Sequence, residues 1–93
     1  PQHFAFMLTV TWRDQDARLT VHYENGFTLT DARVNEGNGR SQVLWYFPFE
    51  KLKRSADDGQ RMLWLEFGAD ESEQVSIYTD SIEIFFEFYC RLQ

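Results

Sequence analysis

The segment DSIEIFFEFYCRLQ, residues 80–93, is where the spacing of apolar residues changes. Phe85 and Phe86 lie three and four residues after Ile82, and Tyr89 and Leu92 follow Phe86 at steps of three. That spacing predicts a helix with one apolar side, while Glu83, Glu87 and Arg91 line the other. Asp80 with Glu83 three residues on has the residue types of a capping box, which puts the helix start there. At 100° per residue, Ile82, Phe85, Phe86, Phe88, Tyr89, Cys90 and Leu92 cover roughly 200°, wider than the stripe of about 100° that core contact needs. Ile84 lies outside even that arc. Two readings of this surplus stay open. Ile84 and Phe88 could face a partner, or the long loop at 31–41 could cover the extra residues and leave Ile84 as a single harmless exposure.

Upstream of the helix the period is two, the mark of strands with one buried face. Val75 and Ile77 form the strand nearest the helix. Before it come Leu63, Leu65 and Phe67, with Met62 and Trp64 on the opposite side, and the acidic loop GADESE, 68–73, joins the two. Val43, Trp45 and Phe47 begin a strand that Pro48 ends or confines to an edge, since proline has no N–H for the ladder. A short fifth strand is expected at 49–54, with Phe49 and Leu52 inward and Lys51, Lys53 and Arg54 outward. Further back, ARVNEGNGRS, 32–41, reads as the longest loop. Phe27 and Leu29 pair with Leu19, Val21 and Tyr23 across Asn25-Gly26, expected to be a two-residue type I′ turn. WRDQDAR, 12–18, is a polar connection, and Phe4 to Trp12 form a long first strand.

The sequence carries no recognisable arrangement of catalytic residues. Asp57 and Asp58 sit directly before Gly59 in SADDGQ, 55–60, and read as turn residues whose carboxylates bind local backbone N–H groups. No apolar wall separates their environments, as acid–base work by a carboxylate pair requires. His22 reads as a solvent-side strand residue, His3 lies near the N-terminus, and neither adjoins a Ser or Cys nucleophile. Two histidines and the single Cys90 do not make a zinc site, and Asp70, Glu71 and Glu73 lack the spacing of a calcium loop. No enzymatic activity, metal or cofactor is therefore expected.

The chain has 93 residues, enough for one domain with one core. Its aromatic share of 17% suits a pleated sheet better than a helical bundle. A net charge of −6 disfavours nucleic acid and anionic membrane surfaces, both of which draw affinity from clustered Lys and Arg. A lone cysteine without metal-ligand spacing favours a reducing, cytoplasmic setting. Because the sequence opens PQHFAF without an initiator Met, 1–93 is expected to be one domain excised from a larger protein.

Seven strands followed by one helix is the order of a pleckstrin-homology (PH) or phosphotyrosine-binding domain. There two near-orthogonal sheets form a barrel whose end the helix closes; a six-stranded sandwich with a terminal helix is the competing fold. Two stretches carry a more specific likeness. FPFEKLKRSADDGQRMLWLEFG, 47–68, resembles the C-terminal region of syntrophins, where Pro-Phe-Glu-Lys-Leu leads to Ser-x-Asp-Asp-Gly and a Leu-rich strand ending in Phe-Gly. VTWRDQDARLTVHYENGFTL, 10–29, fits the same region through its Thr-x-Trp, Leu-x-Val-His and Gly-Phe-Thr-Leu segments. The run from Pro48 to Arg54 is also similar, more loosely, to insulin-receptor-substrate-type phosphotyrosine-binding domains.

The syntrophin resemblance implies a non-catalytic interaction domain of a cytoplasmic scaffold at the membrane cytoskeleton. Its implied partners are dystrophin-family proteins or a neighbouring domain, linked to membrane signalling proteins. The alternatives are a phosphotyrosine-type domain that takes an extended peptide, and a phosphoinositide-binding PH domain. Phe49, Lys51, Lys53, Arg54, Ile84 and Phe88 are the candidate partner-binding residues. The basic trio among them reads more readily as an exposed strand face. Arg13 and Arg18 are the candidates for a lipid headgroup, a weaker reading because Asp14 and Asp16 lie between them and cancel their charge.

Overall fold

Alternation along the first segment buries Phe6, Leu8 and Val10 and leaves Ala5, Met7 and Thr9 exposed. A computed structural model describes residues 5–33 and 42–92; residues 1–4, including His3 and Phe4, residues 34–41, on which most of the expected long loop falls, the side chain of Leu92 and residue 93 lie outside the described residues. In chain order come β1 (Ala5–Trp12), β2 (Gln15–His22), β3 (Gly26–Asp31), β4 (Val43–Phe47), β5 (Arg54–Asp57), β6 (Met62–Glu66), β7 (Gln74–Tyr78) and α1 (Ile82–Leu92). All neighbouring strands are antiparallel, in the order β4-β3-β2-β1-β7-β6-β5. The fold is mainly β with a single C-terminal helix, as expected.

The two hairpins at the start of the chain exchange the turns that composition suggests. β1 and β2 pair without a break from Ala5↔His22 to Trp12↔Gln15, so only Arg13 and Asp14 connect them. Both have positive φ, 50° and 64°, as a type I′ turn requires of its two central residues. The expected seven-residue connection is therefore mostly strand. Ala17 is fully buried and extends the inward row of Leu19 and Val21, a signal hidden by the charged Asp16 and Arg18 on either side. Asn25-Gly26, by contrast, is not a two-residue turn. The ladder ends at His22↔Gly26, leaving Tyr23, Glu24 and Asn25 between, and of these four only Gly26 has positive φ, 98°. His22 Nδ1 accepts the N–H of Glu24 and of Asn25, each at 3.0 Å, and holds the turn together.

The expected fifth strand at 49–54 is also corrected. Phe49–Lys51 form a 3₁₀ turn behind Pro48, in which Lys51 N–H donates to the Pro48 carbonyl at 3.0 Å and Leu52 N–H to that of Phe49 at 3.3 Å. Phe49 and Leu52 are three apart, the repeat of a 3₁₀ turn rather than of a strand. β5 starts only at Arg54 and takes in Ser55 to Asp57, which the sequence assigns to a turn. That turn tightens onto one carboxylate: Asp58 Oδ1 accepts the N–H groups of Gln60, Arg61 and Met62 at 2.9–3.0 Å. Asp57 Oδ2 accepts that of Gly59 at 2.7 Å.

The sheet closes into a barrel by unequal means. Four strands on one side and three on the other meet at a single β1–β7 pair, Thr11↔Tyr78, beside which the Thr79 hydroxyl donates to the Thr9 carbonyl at 3.1 Å. β4 and β5 are the two edges of the order, and aromatic rings link the sides instead of a ladder. Phe67, just past β6, stacks on Phe47 of β4 at 4.2 Å and meets Phe27 of β3 edge-on at 5.2 Å. The expected pair of sheets is thus one continuous sheet with a narrow joint.

α1 covers the end of the core near Phe6. Ile82 and Phe85 are buried, and Phe85 meets Phe6 edge-on at 6.1 Å. Phe88 stacks on Phe6 at 5.0 Å, and Tyr89 stacks on Phe49 at 6.0 Å. The helix starts at Ile82, with Ser81 C=O accepting the Phe85 N–H at 3.0 Å, and the Thr79 hydroxyl accepting the Ser81 N–H at 3.0 Å. Asp80, expected as the cap, instead faces Arg61 Nε at 3.2 Å.

Three carboxylates are held below their ordinary range, with a consequence for acid stability. Hydrogen bonds from the Arg33 guanidinium lower Asp31, backbone N–H donors led by Met62 lower Asp58, and the Lys51 ammonium lowers Glu73. Native carboxylates below ordinary values of 3.8 and 4.5 hold fewer protons than the unfolded chain in that range. Their contribution is present above about pH 4.5 and is lost as pH falls through the lowered values. We expect Tm to be flat from about pH 7 to about pH 5 and to fall on further acidification. In Asp58→Ala, Tm should be a few degrees lower at neutral pH and the acid limb shallower, read by circular dichroism across a pH series. An acid limb as steep as that of the parent chain would remove Asp58 from this account.

Candidate functional site

The candidate basic cluster comes out largely neutralised. Lys51 Nζ lies 3.0 Å from Glu73 Oε2, and Arg54 Nη2 lies 2.8 Å from Glu66 Oε1 across the β5–β6 pair. Glu73 is itself oriented, since its Oε1 accepts the Asp70 N–H at 3.3 Å in the 3₁₀ turn Glu71–Glu73. Lys53 alone of the three has no ion pair among the described residues, and its backbone N–H donates to the Glu66 carbonyl at 2.8 Å. The acidic loop, weighed in the sequence as a calcium site, therefore serves to hold Lys51.

Phe49 and Phe88 act in packing. Phe49 is half-buried between Phe27, 5.5 Å away, and Tyr89, and so joins sheet to helix. Phe88 has Phe6 on one face and the Arg91 guanidinium 5.5 Å from its ring centre. Ile84 differs: it is 45% exposed, whereas the next residue, Phe85, is fully buried. Phe49 thus packs on the helix through Tyr89, Lys51 and Arg54 turn to separate carboxylates, and Ile84 lies one helical turn before Phe88 on α1. For the headgroup candidates, Arg13 lies over the Trp12 ring at 4.6 Å, and Arg18 sits mid-strand opposite Thr9 and Thr30.

One feature of the surface was passed over in the sequence. Residues of β5, β6 and β7, together with Glu71, line a groove of about 510 Å³ with Trp64 in it. Its signal was a tryptophan on the solvent side of an alternating strand, an unusual place for so large an apolar side chain. Among the described residues no three His, Cys, Asp or Glu side chains gather as a metal site would require. Nor, among them, is any helix long and apolar enough to cross a membrane.

A rolled seven-stranded antiparallel sheet plugged by one C-terminal helix defines a PH-like domain. The chain belongs to the syntrophin family: the family profile described as the syntrophin C-terminal PH domain matches residues 2–88. The match reaches past the two quoted stretches, through β7 and into α1. Among individual proteins, the chain is 54% identical to human beta-2-syntrophin over 59 residues, which is 63% of this chain and 10% of that protein. It is 50% identical to mouse beta-2-syntrophin over 66 residues, 71% of this chain and 12% of the relative. To Syntrophin-1 of Caenorhabditis elegans it is 35% identical over 63 residues, 68% of this chain and 13% of that protein. The matched segment thus spans about a tenth of each beta-2-syntrophin's length. No solved structure gives a significant match.

Proposed function

We propose that the chain is a non-catalytic protein-interaction domain of a cytoplasmic, syntrophin-type scaffold. In this reading it works with neighbouring parts of a longer protein to tie dystrophin-type cytoskeletal partners to membrane signalling proteins. The observation that carries the proposal is the family match over residues 2–88. The fold agrees with it: side chains with catalytic potential, such as His22 and Asp58, are engaged in holding turns. Lipid binding is the poorer reading, because Arg13 is laid over Trp12 and Arg18 sits apart on β2.

The test uses a longer syntrophin-type protein that contains this domain, with and without it. A dystrophin C-terminal fragment should be captured by the longer protein and lost when residues 1–93 are deleted. Equal capture without the domain would contradict the proposal.

A second reading is favoured by one observation: β5 is a free edge of the sheet among the described residues, where an extended peptide of the phosphotyrosine-binding type could add a strand. Against its dependence on phosphate stands the pairing of Lys51 and Arg54 with Glu73 and Glu66.

A further inference from the structure

Trp64 lies on the outer face of the middle strand of β5, β6 and β7, turned away from the core and from α1. Its neighbours across the ladder are Ala56 on β5 and Ser76 on β7. Both are small, so the indole stays 41% exposed and the three strands form the floor of the groove around it. Burying an exposed tryptophan is among the stronger ways for one side chain to anchor a partner.

Charge decides what kind of partner fits. Arg54 lines the groove but is neutralised by Glu66 at 2.8 Å. Glu71 lines it as well and has no ion pair among the described residues. Beyond the groove, Asp57 and Asp58 in the β5–β6 turn and Asp70 beside Glu71 also have no cationic side chain paired to them among the described residues. An open indole face with the unpaired Glu71 carboxylate in the same groove suits a cation, whose charge the ring attracts and whose stem the apolar floor accepts. Phosphate-bearing or acidic ligands meet repulsion there. A second copy of a chain with net charge −6 does too.

We propose that this groove docks a basic segment of a partner protein, with an arginine or lysine lying over the Trp64 indole and Glu71 beside it. Arginine suits the site better, because its planar guanidinium stacks on an indole. The proposal rests on the protein-interaction reading above and adds the chemistry of the partner.

The probe is a nonapeptide in which arginine alternates with serine and glycine, titrated into the isotope-labelled chain beside a counterpart with glutamate for arginine. The arginine peptide should shift the Trp64 indole Nε1–H and the amides of Ala56 and Ser76, while the glutamate peptide shifts none of them. Trp64→Ala should weaken binding about three- to thirtyfold, and Trp64→Phe should retain part of it. Glu71→Gln should weaken binding less and flatten its salt dependence. Absence of arginine-peptide binding overturns the proposal, as does equal affinity in Trp64→Ala or shifts confined to other surfaces. If the peptide fails while residues 1–93 remain necessary for capture by the longer protein, this site is lost and the interaction reading stands.

Discussion

Gly26→Ala should cost the chain a large part of its stability. Gly26 has φ of 98°, where a side chain strains the backbone, and a Cβ added there would run into the backbone of Phe47, Pro48 and Phe49. These atoms belong to the end of β4 and the 3₁₀ turn behind it, so no flexible side chain can swing aside. Strain of this sort costs about 1–3 kcal/mol before the displaced strand is counted. A total of about 3 kcal/mol or more is therefore expected, against roughly 5–14 kcal/mol for a domain of this length. Thermal unfolding followed by circular dichroism should show Tm lower by about 12 °C or more. A fall of less than about 4 °C would mean that β3 and the Pro48 turn are not in contact as described.

Phe67→Ala should be comparably severe, for a different reason. Phe67 is fully buried, stacked on Phe47 at 4.2 Å, edge-on to Phe27 at 5.2 Å and 6.0 Å from Trp45. Since no ladder joins β4 to β5, these rings are what couples the two sides of the barrel there. Truncating a buried phenylalanine costs about 3–5 kcal/mol, from lost burial and the cavity left behind. Chemical denaturation should report a loss in that range, together with a red shift of tryptophan fluorescence as Trp45 becomes wetter. Phe67→Leu should retain most of the stability. A Phe67→Ala loss under about 1 kcal/mol would show that the cavity collapses or that the rings do not meet.

What the sequence made legible were the elements whose burial follows a regular period. Phe6, Leu8 and Val10, the row Leu63, Leu65 and Phe67, and the helix residues Ile82 and Phe85 all point inward as their spacing demands. Errors came where a local rule competed with a tertiary one. Asn25-Gly26 has the composition of a type I′ turn, yet the ladder registers placed that turn at Arg13-Asp14, two residues with weaker preference for positive φ. Phe49 and Leu52 looked like an inward strand face although their separation of three already belonged to a 3₁₀ turn. Asp80 fits a cap in isolation, but Arg61 approaches it from a different part of the chain.

The candidate surface was legible only in half. Lys51, Lys53 and Arg54 show themselves as cations, while the carboxylates that neutralise two of them, Glu73 and Glu66, are brought up by pairing with distant segments that spacing does not reveal. Ile84 was visible because it fell off the helix stripe, and it is exposed. Trp64 was placed on the right side of its strand, but its small neighbours Ala56 and Ser76 emerge only from the register of β5, β6 and β7.

The central claim is that one rolled sheet, plugged by its C-terminal helix, leaves its outer surfaces for docking. The measurement closest to it is a side-chain NOE spectrum of the 93-residue chain. It should show cross-peaks from Phe6 to Phe85 and Phe88, from Phe49 to Tyr89 and from Phe47 to Phe67, all in one species. Helix resonances without contacts to Phe6 or Phe49, or a Phe67 ring remote from Phe47, would contradict it.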